Sequence, residues 1–316
     1  MSQFIEVAAA AIVNAADEVL IAKRAAHRHQ GDRWEFPGGK LEPGETAEQA
    51  LIRELQEELG ITVSRCRPLI TVSHHYGDKS VRLHVFRVDA FSGEPHGHEG
   101  QPLAWVPAAQ LSQYEFPAAN LPIIAAVQLP DRLMITPEPT ENKNFLAKVE
   151  RACQRGVRMI QLRAHTLPDA AYRQLAVDVH AICQRHGCAL MLNRRPELIA
   201  DLSCDGWHLS SENAAKATAA GLPSRPRWLS LACHDEAQLQ LAQTLNADFL
   251  LLSPVAETRS HPEQPGLGWR RFAELARQAN RPVYALGGML ERDIFDSWQH
   301  GGQGIAAIRA LWPEHD

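Results

Sequence analysis

The sequence predicts an α/β protein of two domains, a mixed α/β domain over residues 1–129 and a (β/α)8 barrel over residues 130–316. Three observations predict it. The 316 residues exceed the usual size of one compact domain. The first part sets strand-like apolar segments around one sharply punctuated helix. Beyond Leu129-Pro130 short apolar runs alternate with helical stretches, the signature of repeated βα units.

Residues 4–13 and 19–23 read as two strands around the polar turn Asn14 to Glu18. Ala47 to Leu59 reads as a helix, because positions 47, 51, 55 and 59 put apolar side chains on one face. Thr46 and Gln49 form a capping-box pattern at its start, and Gly60 can take the left-handed conformation at its end. Residues 81–90 read as a further strand with partial alternation. In the second domain the strand candidates are 132–135, 158–163, 188–193, 205–209, 227–233, 248–253, 282–286 and 304–308, with helical segments between most of them. Eight such units predict a closed barrel, compact at about 185 residues.

Composition narrows the function. With 45% hydrophobic and 22% charged residues the chain matches an ordinary soluble globular protein. Its formal net charge of −5 argues against stable nucleic-acid binding, which rests on Lys and Arg neutralising phosphates. The six cysteines, at 66, 153, 183, 188, 204 and 233, contain no CxxC pair and read as scattered reduced thiols, which fits a cytoplasmic protein. The apolar run Val7 to Val13 has no basic region before it and is interrupted by Asn14 and Asp17, so neither signal peptide nor membrane anchor is expected. His74, His75, His96 and His98 lack a second ligand cluster and are expected to be solvated loop residues.

The chemistry concentrates in Gly39 to Ile61, GKLEPGETAEQALIRELQEELGI. Glu54, Glu57 and Glu58 stand at i, i+3 and i+4 and share one side of the capped helix, where like charges destabilise it. Six carboxylates (42, 45, 48, 54, 57, 58) against Lys40 and Arg53 give the segment a balance of −4. Divalent cations relieve such crowding, and hard oxygen ligands suit Mg2+ or Mn2+, which also bridge a pyrophosphate that bare carboxylates repel. The turn Phe36-Pro37-Gly38-Gly39 before the helix offers a backbone carbonyl, at Gly38, as a further ligand.

Gly39, Glu45, Arg53, Glu54, Glu57, Glu58 and Gly60 fill every fixed position of the pattern G-x5-E-x7-R-E-U-x-E-E-x-G-U, where U is aliphatic, and the segment thereby resembles the Nudix hydrolases. The resemblance implies an α/β/α sandwich around a mixed sheet, and metal-assisted attack of water on a phosphorus of a diphosphate. It makes Glu54, Glu57 and Glu58 metal ligands, gives Arg53 and Glu45 the ordering of loop and helix, and makes Glu54 the first candidate for general base. Glu99, on a loop beyond the box, is the second candidate and a possible further ligand. Similarity in three more segments, Lys23-Arg24-Ala25-Ala26 with His29, Trp34 to Gly39, and Glu115 to Pro122, points to the MutT branch and implies 8-oxo-dGTP as substrate, hence nucleotide-pool sanitation, DNA repair and replication fidelity. By the same carry-over Arg24, His29 and Phe36 lie near the nucleotide and Asn120 reads the base. An amide suits that task, because oxidation at C8 turns guanine N7 from acceptor to donor. A side-chain amide can then donate to O6 while accepting from N7–H, whereas unmodified guanine leaves a buried polar group unpaired.

Residues 131–312 resemble the thiamine phosphate synthase and TenI barrels through Leu133 to Thr136, Ile160 to Arg163, Leu192 to Arg195, Asp205 to Leu209, Ala285 to Met289 and Gly304 to Ala307. The resemblance implies a TIM-type barrel whose strand ends hold a phosphorylated small ligand, with Arg163, Asn193, His208 and His234 as polar lining and Gly287 and Gly288 offering backbone N–H groups. It also exposes departures. Arg194 stands where the synthases carry an Asp, Asn213 where another Asp is expected, His165 where a Lys is expected, and Pro254 where TenI has its catalytic His. The loop after the sixth strand, Glu257-Thr258-Arg259-Ser260-His261, lacks the expected Lys. The barrel is therefore expected to lack synthase activity. Two alternatives stay open, a thiamine-pathway pyrophosphate as the Nudix substrate and a barrel that serves as a ligand-binding regulatory module. Oligomeric state is left undetermined by these patterns.

Overall fold

In a computed structural model the described residues are 4–26, 30–77, 79–139, 142–258 and 265–313. The chain divides into two compact units, Met1–Leu129 and Pro130–Asp316.

The first unit runs β1 (Phe4–Ile12), β2 (Glu18–Lys23), β3 (Trp34–Glu35), β4 (Gly38–Lys40), α1 (Ala47–Leu59), β5 (Thr62–Tyr76), β6 (Lys79–Ser92), β7 (Leu103–Pro107) and α2 (Leu121–Gln128). Its main sheet is mixed, in the order β4-β1-β6-β5, with β1 parallel to β6; a second sheet has the order β3-β2-β7. Strand β1 explains the apolar run of the sequence, because it is buried on both faces. Ala8, Ala10 and Ile12 pack with Ala50, Leu51, Leu55 and Leu59 of α1, while Ala9, Ala11 and Val13 join a core with Ile123, Ile124 and Val127 of α2. Helices thus cover both faces of the mixed sheet. The alanines let α1 approach closely, and both caps are as its sequence predicts. The Thr46 hydroxyl accepts from Gln49 N–H at 3.2 Å, the Gln49 side chain accepts from Thr46 N–H at 2.9 Å, and Gly60 has φ 69°.

His74 and His75 are not loop residues. They lie in β5, where His75 Nδ1 is 2.7 Å from Ser80 Oγ and the His74 ring meets Tyr76 at 4.4 Å. The alternation of β5 is broken by bulges between Val63 and Arg65 and between Pro68 and Ile70, which hid this long strand in the sequence.

The second unit is a closed, all-parallel barrel of β8 (Arg132–Ile135), β9 (Met159–Leu162), β10 (Ala189–Leu192), β11 (Gly206–Leu209), β12 (Trp228–Cys233), β13 (Phe249–Leu252), β14 (Val283–Leu286) and β15 (Gly304–Ala307). Its helices are α3 (Asn142–Gln154), α4 (Asp169–Arg185), α5 (Pro196–Ile199), α6 (Ser211–Ala220), α7 (Glu236–Thr244), α8 (Gly268–Ala279) and α9 (Ile294–Gln299). Every strand falls within a residue of its sequence-based bounds, since parallel strands covered by helices bury both faces and read as unbroken apolar runs. Among the described residues no helix is long and apolar enough to cross a membrane.

The cysteines are not scattered. The Sγ atoms of Cys153, Cys183 and Cys188 lie within 4.8 Å of one another, all buried. Cys153 and Cys183 are brought together by the packing of α3 on α4, a contact between distant positions that no local spacing rule detects.

Candidate active site

Arg53 organises the polar face of α1. Its Nε and Nη2 donate to the two oxygens of Glu45 at 2.8 and 2.9 Å, its Nη1 to Glu54 Oε1 at 2.9 Å and Glu57 Oε2 at 3.2 Å, and Nη2 also to the Lys40 carbonyl at 3.1 Å. The Arg53 pair and the Glu42 N–H hold the Glu45 carboxyl down at about 2. One guanidinium therefore ties Glu45 and Lys40, ahead of α1, to two acids of the helix, Glu54 and Glu57. Gly39 completes the fit, for a Cβ there would stand 2.1 Å from the Glu54 carboxylate carbon.

Glu58 lies deeper. Burial pushes its carboxyl up to about 7, opposed by the Gly38 N–H and reinforced by the negative charges of Glu54, Glu99 and Glu35. The Gly38 N–H donates to Glu58 Oε2 at 3.3 Å. Glu99 is brought there by a loop clamped to the end of α1, in which His98 N–H donates to the Glu58 carbonyl at 3.0 Å, Gln101 Nε2 donates to it at 3.2 Å, and His98 Nδ1 meets the Glu57 carbonyl at 3.1 Å. Among the described residues no three of these carboxylates bring one oxygen each within 4.8 Å of one another. Closing them on a cation takes side-chain rotation, chiefly by Glu57, which is 61% exposed.

Glu58 and Glu99 line a cavity of about 300 Å³ whose other walls include Lys23, Arg24 and Glu35. Arg24 is ion-paired with Glu35. Asn120 does not line this cavity; it begins α2, and its side chain makes no capping bond. Phe36 is a core residue, 3% exposed and stacked on Phe116 at 5.5 Å, because β3 and β4 turn it inward beneath α2. His29 lies outside the described residues. Sequence reasoning missed Tyr76, whose hydroxyl takes the Ala119 N–H beside Asn120 and senses Arg24 and Arg33, and Glu35; neither belongs to a periodic pattern.

The barrel holds a cavity of about 310 Å³ beyond the ends of β9 to β11, lined by His165, Asn193, Arg194, Glu212 and Lys216 among others. Asn193 Nδ2 donates to Gln161 Oε1 at 3.0 Å, while its Oδ1 is buried and unpaired. His208 is buried with Nδ1 2.9 Å from Ser230 Oγ, and burial holds its imidazole neutral, down at about 3. Arg163 faces Glu138 at 3.6 Å, and His234 Nδ1 meets the Ser253 carbonyl at 2.5 Å; neither lines the cavity. Gly287 and Gly288 have φ 98° and 68° and pack on the backbone of 254–257.

Residues 8–126 match the family described as NUDIX domain, and residues 133–311 the family described as Thiamine monophosphate synthase. The 8-oxo-dGTP diphosphatase of Escherichia coli (strain K12) is 41% identical over 124 residues, which cover 39% of this chain and 96% of that protein. An Aquifex aeolicus (strain VF5) protein with the provisional name thiamine-phosphate synthase 2 is 32% identical over 183 residues, 58% of this chain and 97% of that protein. The chain belongs to both families. A solved structure from a study of MutT in Aliivibrio salmonicida and Vibrio cholerae is 42% identical, covering 40% of this chain and 97% of that one, with a TM-score of 0.36. The first domain is a Nudix hydrolase, and in it Arg53 joins Glu45 to the helix acids Glu54 and Glu57. In the synthase-type barrel, the position of the expected Asp is filled by Arg194, whose Nη2 donates to the Ala164 carbonyl at 3.0 Å and also to that of Leu167, and whose guanidinium lies 4.7 Å over the Tyr172 ring.

Proposed function

We propose that the Nudix domain is a Mg2+-dependent pyrophosphohydrolase that converts 8-oxo-dGTP to 8-oxo-dGMP and pyrophosphate, sanitising the nucleotide pool for DNA replication. The observation that carries it is the cavity lined by Glu58 and Glu99 together with Lys23 and Arg24, in a domain 41% identical to an 8-oxo-dGTP diphosphatase. The donor set fits a hard divalent cation. It is all oxygen, the mutual repulsion and burial that raise Glu58 are what a cation relieves, and Gly39 leaves room for the Glu54 carboxylate. Glu54, Glu57, Glu58 and Glu99, with Gly38 adjoining, would hold it; Mn2+ has the same preference. The bound cation neutralises phosphate charge and lowers the pKa of water.

The chain's own residues do the rest. Arg53 and Glu45 fix the helix acids, Glu54 or Glu99 takes the proton of the attacking water, and Arg24 meets the nucleotide. Asn120, its amide uncommitted to capping, reads O6 and N7 of the oxidised base. Mg2+-supported hydrolysis of 8-oxo-dGTP, dGTP and CTP by wild type and Glu54→Gln tests this reading. At least tenfold preference for 8-oxo-dGTP over dGTP is expected in the wild type, with hydrolysis of all three nucleotides lost in the variant; equal wild-type rates on the two purines overturn the substrate.

CTP is in the panel because a second relative, named CTP pyrophosphohydrolase in Escherichia coli (strain K12), is 37% identical over 117 residues and 87% covered. A preference for CTP would move the activity to pyrimidine triphosphates. For the barrel we propose a phosphorylated small ligand bound without the synthase reaction, since Arg194 and Asn213 remove two acids its relatives use. Calorimetry of the full chain with thiamine intermediates tests it, and thiamine phosphate formation would overturn it. Synthesis without these acids would need a different metal site.

A further inference from the structure

The end of the barrel opposite this cavity carries three thiols in a closed group. Cys153 lies in the last turn of α3, Cys183 in the last turn of α4, and Cys188 immediately before β10, whose far end leads into Asn193. The turn between Cys183 and Cys188 is shaped for the approach. Gly187 takes φ 61°, and the Cys188 N–H returns to the Cys183 carbonyl at 2.9 Å. The end of α3 is fixed as firmly, for Arg158 Nη1 and the Gly156 N–H both donate to the Cys153 carbonyl, at 3.0 and 3.1 Å. Three backbone-anchored positions therefore aim sulfur at one point from three elements.

From this geometry we propose that Cys153, Cys183 and Cys188 form a binding site for one thiophilic cation, Zn2+ or Cu(I). Sulfur ligands about 2.3 Å from such an ion stand roughly 3.8–4.0 Å apart, and all three sulfurs here already lie within 4.8 Å of one another. A disulfide needs contact near 2.05 Å and leaves the third thiol over; the three-way grouping suits a shared ion. Thiolate donors select soft cations against the hard ones suited to the Nudix acids, so the two domains would not compete for metal. On binding, each thiol gives its proton to solvent and its sulfur lone pair to the ion. The guanidinium of Arg158, whose Nη1 donates to the Cys153 carbonyl at 3.0 Å, sets a positive charge beside the thiolate set.

The test uses the full chain purified under reducing conditions, with Cd2+ as the spectroscopic probe and Cu(I) and Zn2+ competed against chelators. One equivalent of Cd2+ is expected to saturate an ultraviolet thiolate-to-metal band, and Cys153→Ser and Cys188→Ser each to weaken binding at least a hundredfold while Cys66→Ser leaves it unchanged. X-ray absorption at the cadmium edge of the wild type needs no variant and is expected to count three sulfur ligands. Fewer sulfurs, an unaltered band in a correctly folded Cys153→Ser, or a disulfide within the trio in the reduced protein would each overturn the site.

Discussion

Arg53 and Glu45 make a two-point ion pair, with both Glu45 oxygens accepting from the guanidinium at 2.8 and 2.9 Å. The same group reaches Glu54, Glu57 and the Lys40 carbonyl. A planar fork with five donors can serve all of these at once, and an ammonium cannot. Arg53→Lys keeps the charge but loses the fork. It is expected to lower hydrolase kcat about a hundredfold and to reduce stability by about 1 kcal/mol, read by steady-state kinetics and thermal melting. Activity within twofold of wild type would remove Arg53 from the organising role.

Glu58 sets a pH dependence of opposite sign to the usual carboxylate. Burial near Glu54, Glu99 and Glu35 raises it from 4.5 to about 7, so the folded chain binds its proton more tightly than the unfolded chain does. The stabilisation is complete below about pH 4.5 and is lost as pH rises through 7, a change of about 3 kcal/mol at most. Without divalent metal, the melting temperature of the Nudix domain is expected to fall between pH 5 and 8, and Glu58→Gln to flatten that slope. Adding Mg2+ near pH 6.5 is expected to release a proton, measurable by calorimetry in buffers of different ionisation enthalpy. A melting temperature that climbs through this window in the metal-free wild type would contradict the burial argument.

How much of this was legible depended on whether a residue's partner was local. Helix α1 could be read to its caps because Thr46, Gln49 and Gly60 act within a few positions of one another. The barrel strands were legible because Phe249–Leu252 and its counterparts are buried on both faces and need no alternation. The two-residue strand β3 carries too few residues for any period, and Tyr76 reaches Ala119 across the fold. The thiol trio spans Cys153 to Cys188 and is gathered from α3, α4 and the turn before β10. Phe36, placed near the nucleotide by its motif, has its partner Phe116 eighty positions on, a stacking that no local pattern shows.

Asn120 tests base reading apart from catalysis. Its side chain is free of the helix cap, and its backbone N–H is fixed to the Pro117 carbonyl at 2.9 Å, so truncation leaves the turn intact. Asn120→Ala is expected to cut the preference for 8-oxo-dGTP over dGTP tenfold or more, a loss of about 1.4 kcal/mol or more of discrimination, while kcat on dGTP changes little. Equal losses on both nucleotides would assign Asn120 to general binding.

Arg194 makes the barrel's departure from its relatives a structural commitment. The guanidinium lies over Tyr172 and donates to the carbonyls of Ala164 and Leu167, joining the loop after β9 to the loop after β10. Arg194→Asp restores the acid expected from the synthase pattern, yet it strips two carbonyls of a charged donor and sets a carboxylate beside them. The variant is therefore expected to lose about 3 kcal/mol of barrel stability and to gain no thiamine phosphate synthesis. Thermal melting resolved by domain reads the first expectation and a synthase assay the second. A stable variant with synthase activity would mean that Arg194 merely occupies a site the barrel still keeps.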